Sequence, residues 1–162
     1  MYTNEKPASV VTAPSTPKLF SKWNLFLIGG ISNCPNWQND IIEQLRVVPD
    51  LTIFNPRRDN FDIYDPSMSD EQIEWEFRHL GMSNIFSVWF SRGSINPITL
   101  YELGMWVNAR PDIPAFIGVD PEYERGYDVF TQTKLARPSI QIVDSIPRLA
   151  GQLLYFFESA DS

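Results

Sequence analysis

The stretch Asn84-Ile85-Phe86-Ser87-Val88-Trp89-Phe90-Ser91, followed by a short loop and Pro97-Ile98-Thr99-Leu100-Tyr101-Glu102-Leu103-Gly104, constrains the chain most. An apolar run this long, rich in β-branched and aromatic residues and bounded by polar turn residues, predicts a strand buried on both faces. Asn96 stands at the cap of a helix, and Pro97 takes its first position, where a missing N–H costs nothing. The chain therefore passes from strand to helix across 92–96. Glu102 falls in the second turn, and helical side chains lean toward the N-terminus. Its carboxylate is expected above the strand's carboxyl end, where open α/β sheets bind ligands.

Other segments repeat the alternation. Trp23-Asn24-Leu25-Phe26-Leu27-Ile28 reads as a first buried strand running into Gly29-Gly30, where backbone must approach something closely: a ligand, or only its own turn. Trp37, Ile41, Ile42 and Leu45 give an apolar stripe to a helix from Asn36 to about 47. Leu51-Thr52-Ile53-Phe54 is a second strand, and Ile113 to Val119 a fourth, with Pro114 tolerated near its start. Ser69-Asp70-Glu71-Gln72 forms a capping-box pattern opening a helix through about Met82. Ile73, Phe77 and Leu80, with Trp75 or Met82, are its expected packing residues, and Glu74, Glu76, Arg78 and His79 are expected mostly in solvent. Ile140-Gln141-Ile142-Val143 is a fifth strand, and Ser145 caps the last helix. That helix carries Ile146, Leu149, Leu153, Leu154, Phe156 and Phe157, too broad a set for one stripe, which predicts burial against a second surface such as another subunit.

Five strands alternating with helices predict a single-domain α/β fold, a doubly wound five-stranded parallel sheet of the flavodoxin or Rossmann-like kind, in the order 2-1-3-4-5. The polar, Pro-rich residues 1–20 are expected to be a disordered arm ahead of a domain over 21–162.

Charge and composition narrow the chemistry. Thirteen basic against twenty acidic residues give −7, with no dense basic patch, which disfavours a nucleic-acid polymer or an anionic membrane as partner. Cys34 and His79 are the only residues of their types, so a disulfide framework, a zinc cluster and a Ser/His/Asp machine each lack parts. No metal or cofactor is signalled. Neither GxGxxG nor GxxxxGK[ST] follows the first strand. Without a secretory h-region or an apolar run near 18 residues, the expected location is the cytoplasm. The loop Asn55-Pro56-Arg57-Arg58-Asp59-Asn60 after the second strand lies on the same rim as Gly29 and Glu102, so polar groups converge there; the alternative is an exposed Arg–Asp pair. A lone helical histidine gives His79 little claim to catalysis.

Gly29-Gly30, Asn55-Pro56-Arg57-Arg58, Gln72-Ile73-x-Trp75-Glu76, Val88-Trp89-Phe90 and Glu102-Leu103-Gly104, in this order, resemble the nucleoside 2-deoxyribosyltransferase family. Tyr123-x-Arg125, Asp128-Val129 and Gln132-Thr133 are similar to its second, divergent branch. The resemblance spans about Asn24 to Phe157. It implies exchange of the base of a 2′-deoxynucleoside by double displacement, with nucleosides and free nucleobases as partners. Glu102 is then the nucleophile and Glu76 the acid that protonates the departing base, with Asp59 as rival acid. A glutamate at its ordinary pKa of about 4.3 is ionised at neutral pH and can trap the sugar as an ester. The resemblance also implies substrate contacts from Gly29, Gly30, Asn55, Arg57, Asp59, Trp75 and Asn96, and a homo-oligomer in which Asp128 and Gln132 complete a neighbour's site. Two departures stand out: Leu27 replaces a tyrosine that orients the nucleophile, and Asn96 replaces an aspartate near the sugar hydroxyls. The alternatives are a 2′-deoxynucleoside 5′-monophosphate N-glycosidase, with Ser32, Ser94, Arg57 and Arg58 toward the phosphate, and a non-catalytic nucleotide-sensing module.

Overall fold

The computed structural model describes residues 6–18 and 21–160. Strands β1 (Ser9–Thr12), β2 (Trp23–Gly29), β3 (Leu51–Asn55), β4 (Ile85–Phe90) and β5 (Ala115–Val119) form one parallel sheet in the order β1-β3-β2-β4-β5. Helices α1 (Trp37–Leu45), α2 (Pro66–Met82), α3 (Pro97–Glu102), α4 (Gly126–Ala136) and α5 (Ile146–Ala160) connect and cover it, and a π-helical segment, Leu103–Asn108, continues α3. Among the described residues no helix is long and apolar enough to cross a membrane.

Every residue of β4 is buried, as a run apolar but for Ser87 requires, and β2 shows the two-residue alternation that splits the core. Leu25 and Leu27 face a layer with Trp37, Ile41 and Leu45 of α1 and Leu149, Leu153 and Phe157 of α5. Phe26 and Ile28 face the other, with Trp75 and Leu80 of α2, Leu103 and Val107 of the π-helix and Val129 of α4. Each fully buried side chain of this size stabilises the fold by about 1.5–3 kcal/mol over an exposed one, so the central strands anchor both layers.

The expected strands map onto β2, β3, β4 and β5 in the expected neighbour order, but the fifth strand differs. Ile140–Val143 contributes only a single parallel bridge, Val143 to Gly118, with the Val119 N–H donating to the Val143 carbonyl at 2.8 Å. Pro138 and Asp144 bracket too short a run for more. The fifth position is filled from the arm expected to be disordered: Ser9-Val10-Val11-Thr12 pairs with β3 in register Val10↔Ile53 and Val11↔Phe54. Two adjacent valines place one side chain in each layer, and Ser9 Oγ lies 3.0 Å from Thr52 Oγ1. The parts of the arm at 1–5 and 19–20 lie outside the described residues.

Helix α2 begins earlier than its capping box suggests. Asp65 is the cap, its carboxylate accepting from the Ser67 N–H at 2.9 Å, and Pro66 takes the first helical position; the Ser69 N–H already donates to the Asp65 carbonyl. The buried face also differs. Gln72, Trp75, His79 and Leu80 point inward, while Ile73 and Phe77, expected to pack, are 64% and 59% exposed. His79, expected in solvent, is fully buried: its ring stacks on Trp75 at 4.0 Å and meets the edge of Phe54. Its Nδ1 lies 2.7 Å from the Trp75 carbonyl, and since a carbonyl only accepts, Nδ1 carries the proton.

Ser145 does cap α5, its hydroxyl accepting from the Arg148 N–H. The helix's broad apolar face finds its cover inside the chain, contrary to the expected second subunit. Ile146, Leu154 and Phe156 pack on the layer that holds Leu149, Leu153 and Phe157, and Phe156 sits between Trp23 and Phe116 at ring distances of 5.1 and 5.4 Å.

Candidate active site

A cavity of about 360 Å³ opens at the carboxyl ends of β2, β3 and β4, the rim where parallel sheets gather ligand-binding loops. Gly29, Gly30 and Ser32 reach it from the end of β2, Pro56 and Arg58 from the loop after β3, Gln72 and Glu76 from α2, and Ser94 and Asn96 from the loop after β4. Thr99 and Glu102 reach it from α3. Glu102 and Glu76, predicted from separate stretches, therefore share one hollow.

Their electrostatics correct the sequence-based expectation of an ordinary ionised nucleophile. Glu102 is 8% exposed, and burial, with the negative charge of Glu76 adding to it, raises its pKa to about 8. Burial also raises Glu76, partly offset by a hydrogen bond from Gln72. Two interacting carboxyls hold protons as a pair. Between the ordinary glutamate range and about pH 8, this pair retains a proton that two exposed glutamates would have lost.

The rim is rigid. Gly29 and Gly30 are needed because loops close on them: a Cβ on Gly29 would strike the Trp37 ring and the Trp89 carbonyl, and one on Gly30 the Asn96 side chain and Cys34 Sγ. Both glycines also line the cavity, so the close approach is to the chain itself as well as to the hollow. The Gly30 carbonyl accepts from Trp37 Nε1 at 3.0 Å and Gln38 Nε2 at 3.2 Å. Asn96 sits at φ 52°, the left-handed region that asparagine tolerates better than most residues. Its side chain does not cap α3. Nδ2 donates instead to the Ser91 and Ser94 carbonyls at 2.9 and 2.8 Å, and Oδ1 accepts from Cys34 Sγ at 3.5 Å. The residue expected near the sugar thus has both amide donors committed to its own loop.

Other predicted site residues have different places. Arg57 is not in the cavity wall; Nη2 donates to the Ile31 and Cys34 carbonyls at 2.7 and 3.0 Å, tying the loops after β2 and β3 together, and Asn55 Oδ1 accepts from the Arg57 N–H at 3.0 Å to fix the turn. Asp59, the rival acid, is exposed and outside the wall. Arg58 pairs with Glu71 at 2.8 Å rather than with Asp59. Trp75 packs between Phe26, Phe54 and His79 beneath the site, its indole N–H donating to the Ser15 carbonyl. Asp128, paired with Arg125 at 3.2 Å, and Gln132 lie on α4, away from this cavity. Leu27 is fully buried in the wall.

Gln72, Thr99, Phe61 and Ile98 are wall residues that sequence reasoning does not place there. In the sequence Gln72 stands out as a capping residue and as the first residue of the Gln72-Ile73-x-Trp75-Glu76 pattern, without a place in the site; its i, i+4 spacing to Glu76 is the signal that marks it. A second hollow, of about 410 Å³, shares Phe61, Gln72, Glu76, Ile98 and Glu102 with the first and runs on over Phe77, Tyr101, Met105 and Trp106. Among the described residues no group of three His, Cys, Asp or Glu side chains is placed to hold a metal ion.

A family model described as nucleoside 2-deoxyribosyltransferase like matches residues 22–123. The matched span contains every rim element and both carboxylates, and ends before α4. No curated protein matches the chain.

Proposed function

The chain belongs to the nucleoside 2-deoxyribosyltransferase-like family, and from that premise we propose that it exchanges the base of 2′-deoxynucleosides through a covalent glutamyl-deoxyribose ester. The observation that carries this reading is the carboxyl pair: two glutamates from different helices in one cavity, both raised by burial, Glu102 to about 8 with the charge of Glu76 contributing. A double displacement needs a nucleophile and a proton donor in reach of one glycosidic bond. A pair that keeps one proton at neutral pH supplies both.

In the free protein the pair's proton rests mainly on Glu102, whose pKa is about 8; the reactive form carries it on Glu76, and in that form the Glu102 carboxylate attacks C1′. The C1′–N bond breaks toward the base, and the Glu76 proton passes to a base nitrogen, so the base leaves neutral and the sugar remains as an ester. An incoming base then attacks C1′ with a ring nitrogen, the C1′–O bond breaks to restore the Glu102 carboxylate, and Glu76 takes the proton released by the incoming base. Two inversions give net retention. The cavity wall favours Glu76 over Asp59 as the acid.

Incubation with 2′-deoxyinosine and free adenine or cytosine tests the reading. A new deoxynucleoside is the expected product; free hypoxanthine alone would indicate hydrolysis, and neither product would favour a sensor. A second reading, the 5′-monophosphate N-glycosidase, draws on Ser32, Ser94 and Arg58 at the cavity, although Arg57 is already committed to two carbonyls. Faster cleavage of 2′-deoxyinosine monophosphate than of 2′-deoxyinosine, without transfer, would establish it. The setting we assign is base salvage in the cytoplasm by a homo-oligomer. Its contact surface is the exposed apolar face of Ile73, Phe77, Ile98, Tyr101 and Met105 that continues the site, in place of α5.

A further inference from the structure

Gln72 is 8% exposed and stands one helical turn before Glu76 in the cavity wall. Its Nε2 donates twice, to Glu76 Oε1 at 2.7 Å and to the Pro56 carbonyl at 2.8 Å. Both neighbours of that nitrogen are acceptors, so the amide has one workable orientation: reversed, it would set its oxygen against the Pro56 carbonyl. The Pro56 carbonyl belongs to the turn that ends β3, itself fixed by Asn55 and by Arg57. Glu76 is thereby tied through Gln72 to the rigid rim rather than held by its flexible side chain alone.

The arrangement also decides which oxygen carries the acid proton. The carbonyl oxygen of a carboxylic acid is a stronger acceptor than its hydroxyl oxygen, so the Gln72 N–H holds Oε1 as the carbonyl and the proton of a neutral Glu76 on Oε2. The amide hydrogen bond also stabilises the carboxylate that remains after the proton has gone. Gln72 carries a penalty of its own: its Oε1 is buried without a partner, where an apolar side chain would leave none. We infer that Gln72 is the positioning residue of the acid, clamping the Glu76 carboxyl by Oε1 so that its proton is delivered from Oε2 into the cavity. This rests on the double-displacement reading above and adds to it a residue that acts through Glu76. The charged and titratable groups that share a cavity wall with Glu76 are Glu102 and Tyr101 of α3 and Arg58 of the β3–α2 loop, and all of them are unchanged in the variant that follows.

The test is Gln72→Met, which keeps volume and removes both donors, assayed with two substrates. 2′-Deoxyinosine requires protonation of its leaving base; N7-methyl-2′-deoxyguanosine carries a base that is already cationic and leaves without an acid. Gln72→Met should slow single-turnover release of the base from 2′-deoxyinosine by about 10–100-fold, with KM changed far less, and hold near-wild-type single-turnover release from the methylated substrate, whose first half-reaction needs no acid. Glu76→Gln should show the same selectivity more strongly. The limb of the pH–rate profile that reports Glu76 should move to higher pH in Gln72→Met, since the hydrogen bond that favours the carboxylate is gone. Equal losses on both substrates, or no loss on either, would overturn the assignment. Wild-type protein inactive on both, and Glu102→Ala no different, would instead defeat the double-displacement reading. In that event a carbon-13 carboxyl titration still decides the clamp: a Glu76 pKa raised in Gln72→Met upholds it and an unchanged one refutes it.

Discussion

Glu102 destabilises the fold where it stands, and its energetics can be checked apart from its chemistry. Its pKa in the folded chain, about 8, lies above the ordinary glutamate value, so the native state binds more protons than the unfolded chain between those limits. Stability then falls as pH rises from about 4.5 to 8 and the deficit stays constant above. A tenfold difference in proton affinity between folded and unfolded chain is worth about 1.4 kcal/mol, so Glu102→Gln should raise stability by a few kcal/mol at about pH 8–9 and by almost nothing at about pH 4.5, read by urea unfolding across that range. The same variant should lose transfer by about 10³-fold or more, because no other route forms the ester. A 2-fluoro-2-deoxyribosyl substrate, whose electron-poor sugar slows ester breakdown, should add one sugar to the wild-type peptide containing Glu102. Labelling of Glu76 instead would move the nucleophile.

His79 works in the opposite pH direction. Burial holds its pKa below the ordinary value, a pull only partly countered by the Trp75 carbonyl, and its Nε2 is buried without a partner. The unfolded chain takes up this proton more readily, so stability is whole above about pH 6.5 and is lost as pH falls through that value toward the folded one. His79→Phe should flatten this acid limb in the same unfolding series; an unchanged limb would show that His79 is not its source. The histidine is therefore a packing residue of α2, stacked on Trp75. Its burial is hidden in the sequence because Ile73 and Phe77 mark a more apolar face of the same helix, and that face is the exposed one.

At the scale of elements, the start of α2 shows how local signals compete. The capping-box pattern at Ser69-Asp70-Glu71-Gln72 draws the start away from Asp65-Pro66, although a proline at the first helical position and an aspartate before it form the more local start signal. Asp65→Ala should lower the urea midpoint of unfolding and Ser69→Ala markedly less; the reverse ranking would return the helix start to the later cap. Strands are more legible than helices. Buried parallel strands such as β2 and β4 are marked by apolar runs interrupted by a single polar residue, whereas β1 is four residues on one edge, two of them polar, and only its pairing with β3 reveals it. The carboxyl ends of those strands carry Gly29, Gly30, Asn96 and Glu102 to one rim, and so that part of the site is readable. Arg57, Asn55 and Trp75 are within reach of the same rim, but which of them faces the hollow depends on loop closure and on partners far off in sequence, such as the Ile31 carbonyl and Ser15.

Across the whole molecule, apolar surface divides unevenly between the two layers. The breadth of the α5 face suggests a second subunit, yet the fold covers that face itself with Trp23, Phe116 and α1. One group of uncovered apolar residues lies on the opposite layer: Ile73 and Phe77 of α2 and Ile98 and Tyr101 of α3, from 59% to 67% exposed. They border the hollow that runs on from Glu76 and Glu102. Scattered apolar residues on a surface need no explanation, but a contiguous group beside a ligand cavity marks an interaction surface. If that surface joins two copies, the contact lies beside the substrate, and assembly and catalysis fail together. Phe77→Glu with Tyr101→Glu should give a folded monomer with transfer reduced by about 10-fold or more, measured by sedimentation at micromolar concentration and by the base-exchange assay. Changes on α5's exposed side, such as Tyr155→Glu, should alter neither. Wild-type protein that sediments as a monomer with full activity, or a monomeric double variant that still exchanges bases at the normal rate, would make the site complete in one chain and leave this apolar face to the substrate alone.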